Sequence, residues 1–168
     1  MVDQLTLQTM SIVISSLGMI IALTYYALQI RNQNTTRQAQ LLMQINNQLR
    51  EEKFQNYLVE MRLWEAEDYD DMMEKYLNPE AQAKQNYVTS FFEGVGLLVE
   101  RKLLDPKLVY DLMATYLFNY WNKAGKFLEE FRVRANRPEV WKKTENLYKL
   151  MMKMYEEEYG HEYAPKQY

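Results

Sequence analysis

Between Asp3 and Arg31 the chain carries no charged residue, and Met10 to Ile30 is close to an unbroken run of apolar positions. A helix rises about 1.5 Å per residue, so these 21 positions reach roughly 32 Å, enough to cross a bilayer core of about 30 Å. The polar residues inside the run (Ser11, Ser15, Ser16 and Thr24) can return hydrogen bonds to their own helix. A buried helix of a soluble protein rarely runs so far without a charge. The pattern predicts a membrane anchor over residues 1–30, with the span at about 10–30.

Beyond it the pattern changes. Residues 31–40 are almost wholly polar and lack Gly and Pro, then Leu42, Ile45 and Leu49 restart an apolar stripe. Residues 31–50 read as a polar helical neck. Phe54, Tyr57, Leu58, Met61 and Trp64 fall on one face of a helix, with Glu51, Glu52, Glu60 and Glu65 opposite. A short helix follows from Asp68 to Leu77, stopped at Asn78-Pro79. From Glu80 to Leu104 two adjacent stripes run together: Val88, Phe91, Val95 and Leu98 beside Phe92, Gly96, Val99 and Leu103. Two stripes imply burial on more than one side. Gly94 and Gly96 each cost about 1 kcal/mol relative to Ala in a helix interior, a cost that close approach of a neighbouring helix would explain.

Asp105-Pro106 is a capping carboxylate followed by Pro at the first helical position, and the apolar spacing from Val109 to Phe131 carries that helix to about Asn136, with Gly125 as a candidate bend. Pro138 is expected to open the last helix, whose core face is Trp141, Leu147, Tyr148, Met151, Tyr155 and Tyr159, with Gly160 as its cap. The bundle thus covers 51–160, and 161–168 should fray. No segment alternates with period two. The fold class is all-α: one N-terminal transmembrane helix followed by a cytoplasmic bundle of four to six helices.

Charge sets the orientation. Arg31, Arg37 and Arg50 follow the span with no acid before Glu51, while Asp3 alone precedes it. The positive-inside bias puts the N-terminus outside and residues 31–168 in the cytoplasm of a single-pass cell-membrane protein. The leader Met-Val-Asp lacks the basic residues of a cleaved signal, so the helix should stay as an anchor. Within the span, Ser11, Ser15, Gly18 and Ala22 recur on one face, a stripe that lets a second helix approach closely in lipid. Self-association or pairing with another membrane protein is the expectation there, and coincidence the bland alternative.

Elimination does most of the chemical work. Cysteine is absent, and after the span there is one serine, Ser90, and one histidine, His161. That leaves no workable Ser-His arrangement, thiolate site or redox switch. There is no Gly-rich phosphate loop. Glu158 and His161 share the Glu-x-x-His spacing of di-iron bundles, but such sites need two copies of the motif. Clustered Met151, Met152 and Met154 fit core packing better than a copper site. The acids from Glu65 to Glu74 lack a calcium loop's glycine and suit a helix N-terminus. The reading is no catalytic residue, no cofactor and no metal.

The remaining signal is uneven charge. Residues 51–80 hold ten acids and three bases, and residues 123–153 hold nine bases and four acids. Lys123, Lys126, Arg132, Arg134, Arg137, Lys142 and Lys143 form a candidate basic surface for anionic lipid or nucleic acid. Interspersed Glu129, Glu130, Glu139 and Glu145 dilute that field, which disfavours nucleic acid and points to pairing with acidic helices of the same bundle or a partner.

The segments Arg37-Gln-Ala-Gln40, Phe91-Phe-Glu-Gly-Val-Gly96 and Asp105-Pro106 through Val109-Tyr-Asp-Leu112, with Trp64, Trp121 and Trp141, resemble the prokaryotic family catalogued as domain of unknown function 4760. The resemblance covers roughly residues 30–155. It implies a short membrane span followed by a helical cytoplasmic domain, and no activity, cofactor or catalytic residue. The leading expectation is a membrane-anchored helical interaction module, an adaptor, regulator or accessory subunit, with membrane lipid and another membrane protein as partners. With 23 aromatic residues in 168, there is more ring surface than one small core needs. The alternatives are a tethered enzyme using carboxylate, Lys or Tyr side chains, and a module binding anionic lipid or nucleic acid through residues 123–153.

Overall fold

A computed structural model describes residues 3–161 and 163–164. Among these the chain is all helical: α1 (Gln4–Arg50), α2 (Glu52–Arg62), α3 (Tyr69–Tyr76), α4 (Pro79–Glu100), α5 (Pro106–Ala135) and α6 (Lys142–Tyr159), with no strand. The chain divides into two units, Met1–Gln40 and Leu41–Tyr168.

The first unit is helical from Gln4 onward. Its large apolar side chains, from Leu7 to Ile30, are each 52–69% exposed. Ser16 and Thr24 donate their hydroxyls to the Ile12 and Ile20 carbonyls at 2.8 and 2.9 Å, so they demand nothing from outside. The same device recurs at Thr35 and Thr36, which bond to the Arg31 and Asn32 carbonyls. Residues 31–50, expected as a polar helical neck, are helical and belong to α1.

The second unit holds the core. Leu41, Ile45 and Leu49 start it, and Phe54, Val88, Phe92, Val109, Leu117, Phe118, Leu128 and Met151 are almost fully enclosed. Local signals set most helix ends. Asp68 Oδ1 accepts the Asp71 N–H at 2.9 Å to open α3, Asn78 Oδ1 accepts the Ala81 N–H at 2.9 Å to open α4, and Asp105 Oδ1 accepts the Lys107 N–H at 2.7 Å to open α5. Asn136, left-handed at φ 52°, closes α5, and Gly160 at φ 74° closes α6.

Three expectations need correction. Trp64 lies beyond the end of α2, yet it is buried because its ring stacks on Tyr76 at 4.6 Å. α4 stops at Glu100, not Leu104, since Lys102 turns left-handed and the Leu103 and Leu104 N–H groups fold back onto the Leu98 carbonyl. Leu103 is consequently 53% exposed. Pro138 does not open α6: residues 137–141 form a turn and the helix begins at Lys142. At Gly125 an added Cβ would lie 2.7 Å from the Trp121 ring of its own helix, so the glycine makes room for that ring.

α6 begins where it does because α4 holds it there. The Glu93 carboxylate accepts the Lys143 N–H at 3.2 Å, the Thr144 N–H at 2.8 Å and the Thr144 hydroxyl at 2.8 Å. One carboxylate thus satisfies two of the orphan donors of a helix start. Beside it, a Cβ on Gly96 would sit 2.5 Å from the Lys143 carbonyl oxygen. Of the expected frayed tail, Tyr163 packs its ring 4.7 Å from Phe118 and donates its hydroxyl to Asn119 Oδ1 at 3.1 Å. Glu162 and residues 165–168 lie outside the described residues.

Candidate functional site

The apolar stretch of α1 contains an 18-residue window of mean hydropathy 1.8, none of it buried by the chain. It is long and apolar enough to cross a membrane. Ser11, Ser15, Gly18 and Ala22 all stand exposed along it, and a Cβ on Gly18 would meet nothing within 4 Å.

The seven basic candidates do not form one surface. Arg132 is only 9% exposed, with Nη1 2.7 Å from Glu145 Oε2, a charge contact without an aligned hydrogen bond. Lys142 approaches the same carboxylate at 2.8 Å, and Lys149 bonds to its other oxygen. Burial alone would raise the pKa of Glu145. The three cations overcome that and hold it at about 2. Arg134 pairs with Asp70 and Glu130 and lays its guanidinium over the Tyr69 ring at 4.5 Å. Arg137 pairs with Glu139 at 3.1 Å and Lys143 with Glu100 at 2.7 Å. Lys123 and Lys126 remain exposed and outside these ion pairs. Most of the positive charge thus meets acids of its own bundle.

Inside the core one polar pair stands out. Thr89 donates its hydroxyl to the Gln85 carbonyl at 2.7 Å, so the 2.5 Å contact with Tyr120 is made by the Tyr hydroxyl donating to Thr89. Burial raises the pKa of Tyr120, which keeps it a neutral donor and unsuited to act as a base. Among the described residues no three acidic or histidine side chains converge as a metal site requires.

A groove of about 800 Å³ lies in the second unit between the last turns of α1 and the outer face of α4. Leu41, Ile45 and Gln48 form one wall; Ser90, Gly94 and Leu97 belong to the other. Its lining carries no charged side chain. Gly94 is exposed there, and a Cβ added to it would meet nothing within 4 Å. Its neighbour Gly96 faces α6, so among the described residues only one of the two glycines meets a close-packed helix. The pair was readable in the sequence, whereas the groove was not, since it depends on how loosely α1 lies along α4.

The family model described as domain of unknown function DUF4760 matches residues 12–151, from within the apolar stretch of α1 into α6. The chain belongs to that family. No curated protein and no solved structure matches it. For this DUF4760 chain the functional reading rests on its own geometry.

Proposed function

We propose that the chain is a membrane-anchored helical interaction module, an adaptor, regulator or accessory subunit without chemistry of its own. The observation that carries this reading is the apolar stretch of α1, fully helical and left uncovered by the rest of the chain. Contiguous apolar surface on that scale needs lipid or protein around it. Lipid suits it because Ser16 and Thr24 already bond to carbonyls of their own helix, so neither hydroxyl is stranded in hydrocarbon. The Arg-rich flank at Arg31 and Arg37 supports an outside N-terminus and a cytoplasmic bundle.

The partner contact in this reading is helical. The α1–α4 groove is uncharged, long, and bordered by a glycine that permits close backbone approach. The test is a photo-reactive amino acid placed at Gly94 in the full chain, cross-linked in native membranes. A discrete adduct that is lost when the reactive group is moved to Lys153, on α6, supports the reading. Only unreacted monomer at every position contradicts it.

A further inference from the structure

A second concavity has different chemistry. Between α3, α4, α5 and the turn before α6 lies a cleft of about 300 Å³, at the lower end of the range for small-molecule sites. Its walls are rings: Tyr69 and Tyr76 from α3, Phe127 and Phe131 from α5, and Trp141 from the turn. Met72 and Met73 add two polarizable thioethers. Flat, rigid faces and sulfur favour an aromatic guest over a flexible chain.

The walls are also held in place. Tyr76 stacks on Trp64 at 4.6 Å, and its hydroxyl accepts the Glu65 N–H at 3.1 Å, which docks α3 over the cleft. Trp141 sits at φ 54°, a conformation that a bulky side chain rarely adopts, with its ring 5.0 Å from Phe131. The Glu93 cap on Lys143 and Thr144, two and three positions on, keeps it there.

What the lining lacks decides the charge of the guest. No Lys, Arg, Asp or Glu lines the cleft, and the guanidinium against its Tyr69 wall, Arg134, is already paired with Asp70 and Glu130, so an ion would lose water and gain no free counter-charge. What it offers instead is amides. Gln82, Gln85 and Asn86 follow one another along α4, and no side-chain hydrogen bond to another described residue engages them. Gln85 is half-buried and also borders a cavity of about 20 Å³ behind the cleft, with Met72 and Phe127 as the shared wall. A primary amide presents a donor and an acceptor side by side, the complement of a lactam, carboxamide or aminopurine edge.

We propose that this cleft binds an uncharged, planar heteroaromatic small molecule whose edge carries a neighbouring hydrogen-bond donor and acceptor. The rings take its faces and Gln85 reads its edge. The site shares only Asn86 with the α1–α4 groove and would stand if the interaction reading fell.

The test uses the full chain in lipid nanodiscs, where no detergent competes for an apolar cleft. Saturation-transfer NMR follows lumichrome, adenine and nicotinamide as probes, with anthracene-9-carboxylate as a charged aromatic control and empty nanodiscs as the lipid control. Saturable binding of at least one neutral probe is expected. Gln85→Leu should weaken it by about tenfold, the worth of one or two lost hydrogen bonds, with an unchanged Tm. Met73→Trp, which fills the cleft, should abolish it. The proposal is overturned if none of the three probes binds, if the carboxylate binds as well as they do, or if both variants bind like wild type. It is equally overturned if Met73→Trp alters oligomer size rather than probe binding, since the occupant would then be a second copy of the chain.

Discussion

The two faces of α4 carry glycines two residues apart and meet opposite surroundings. On the α6 side, Gly96 lies under the Lys143 carbonyl, Glu93 caps the α6 start, and Phe92 and Val99 are buried. On the α1 side, Gly94 stands in open space beside a groove, and Leu97 is 42% exposed. Sequence pattern predicts both faces as packed, because a helix with two apolar stripes records only that both will be covered. Whether the cover comes from the same chain is a property of the other helices. The difference teaches that two glycines with the same sequence signal can differ in cause: Gly96 is required by a close helix, whereas no described residue requires Gly94.

The contrast can be broken at several points, the largest first. Glu145→Ala leaves Arg132 buried without its counter-charge and should cost about 3–5 kcal/mol in urea unfolding. Replacing both Arg132 and Glu145 with Met should recover much of that loss, since two apolar groups leave no stranded charge. The same carboxylate sets a pH dependence. Its folded pKa of about 2 lies below the ordinary value, so its stabilisation is complete above about pH 5 and is lost as pH falls toward 2. Tm should therefore drop across that window, and Glu145→Gln should remove that part of the drop.

Gly96→Ala comes next. The added Cβ meets backbone, which cannot rotate away, so a loss of about 1–3 kcal/mol is expected despite the better helix propensity of Ala. Glu93→Ala should cost about 1–2 kcal/mol by stripping the cap from α6. The smallest change has the opposite sign: Gly94→Ala should stabilise by up to about 1 kcal/mol, because nothing lies within reach of its Cβ. If Gly94→Ala and Gly96→Ala shift Tm alike, the two faces do not differ as described.

Signals confined to one turn were legible. Asp68, Asn78-Pro79, Asp105-Pro106, Asn136 and Gly160 all mark helix ends through residues within a few positions of the boundary. The start of α6 was misread because its cap, Glu93, lies about 50 residues upstream and no local pattern points to it. The basic residues looked like a surface for the same reason. Arg132 and Glu145 are 13 positions apart, and Arg134 and Asp70 are 64 apart, so their pairing exists only in the fold. The cleft under α3 was invisible, since its walls come from α3, α4, α5 and the Trp141 turn, which are far apart in the chain.

Lipid as the surroundings of α1 is the claim on which the rest depends. Washing membranes from cells expressing the full chain with alkaline carbonate tests it directly. The account predicts that the protein stays in the pellet and is released by detergent. Recovery of the chain in the carbonate supernatant would contradict it.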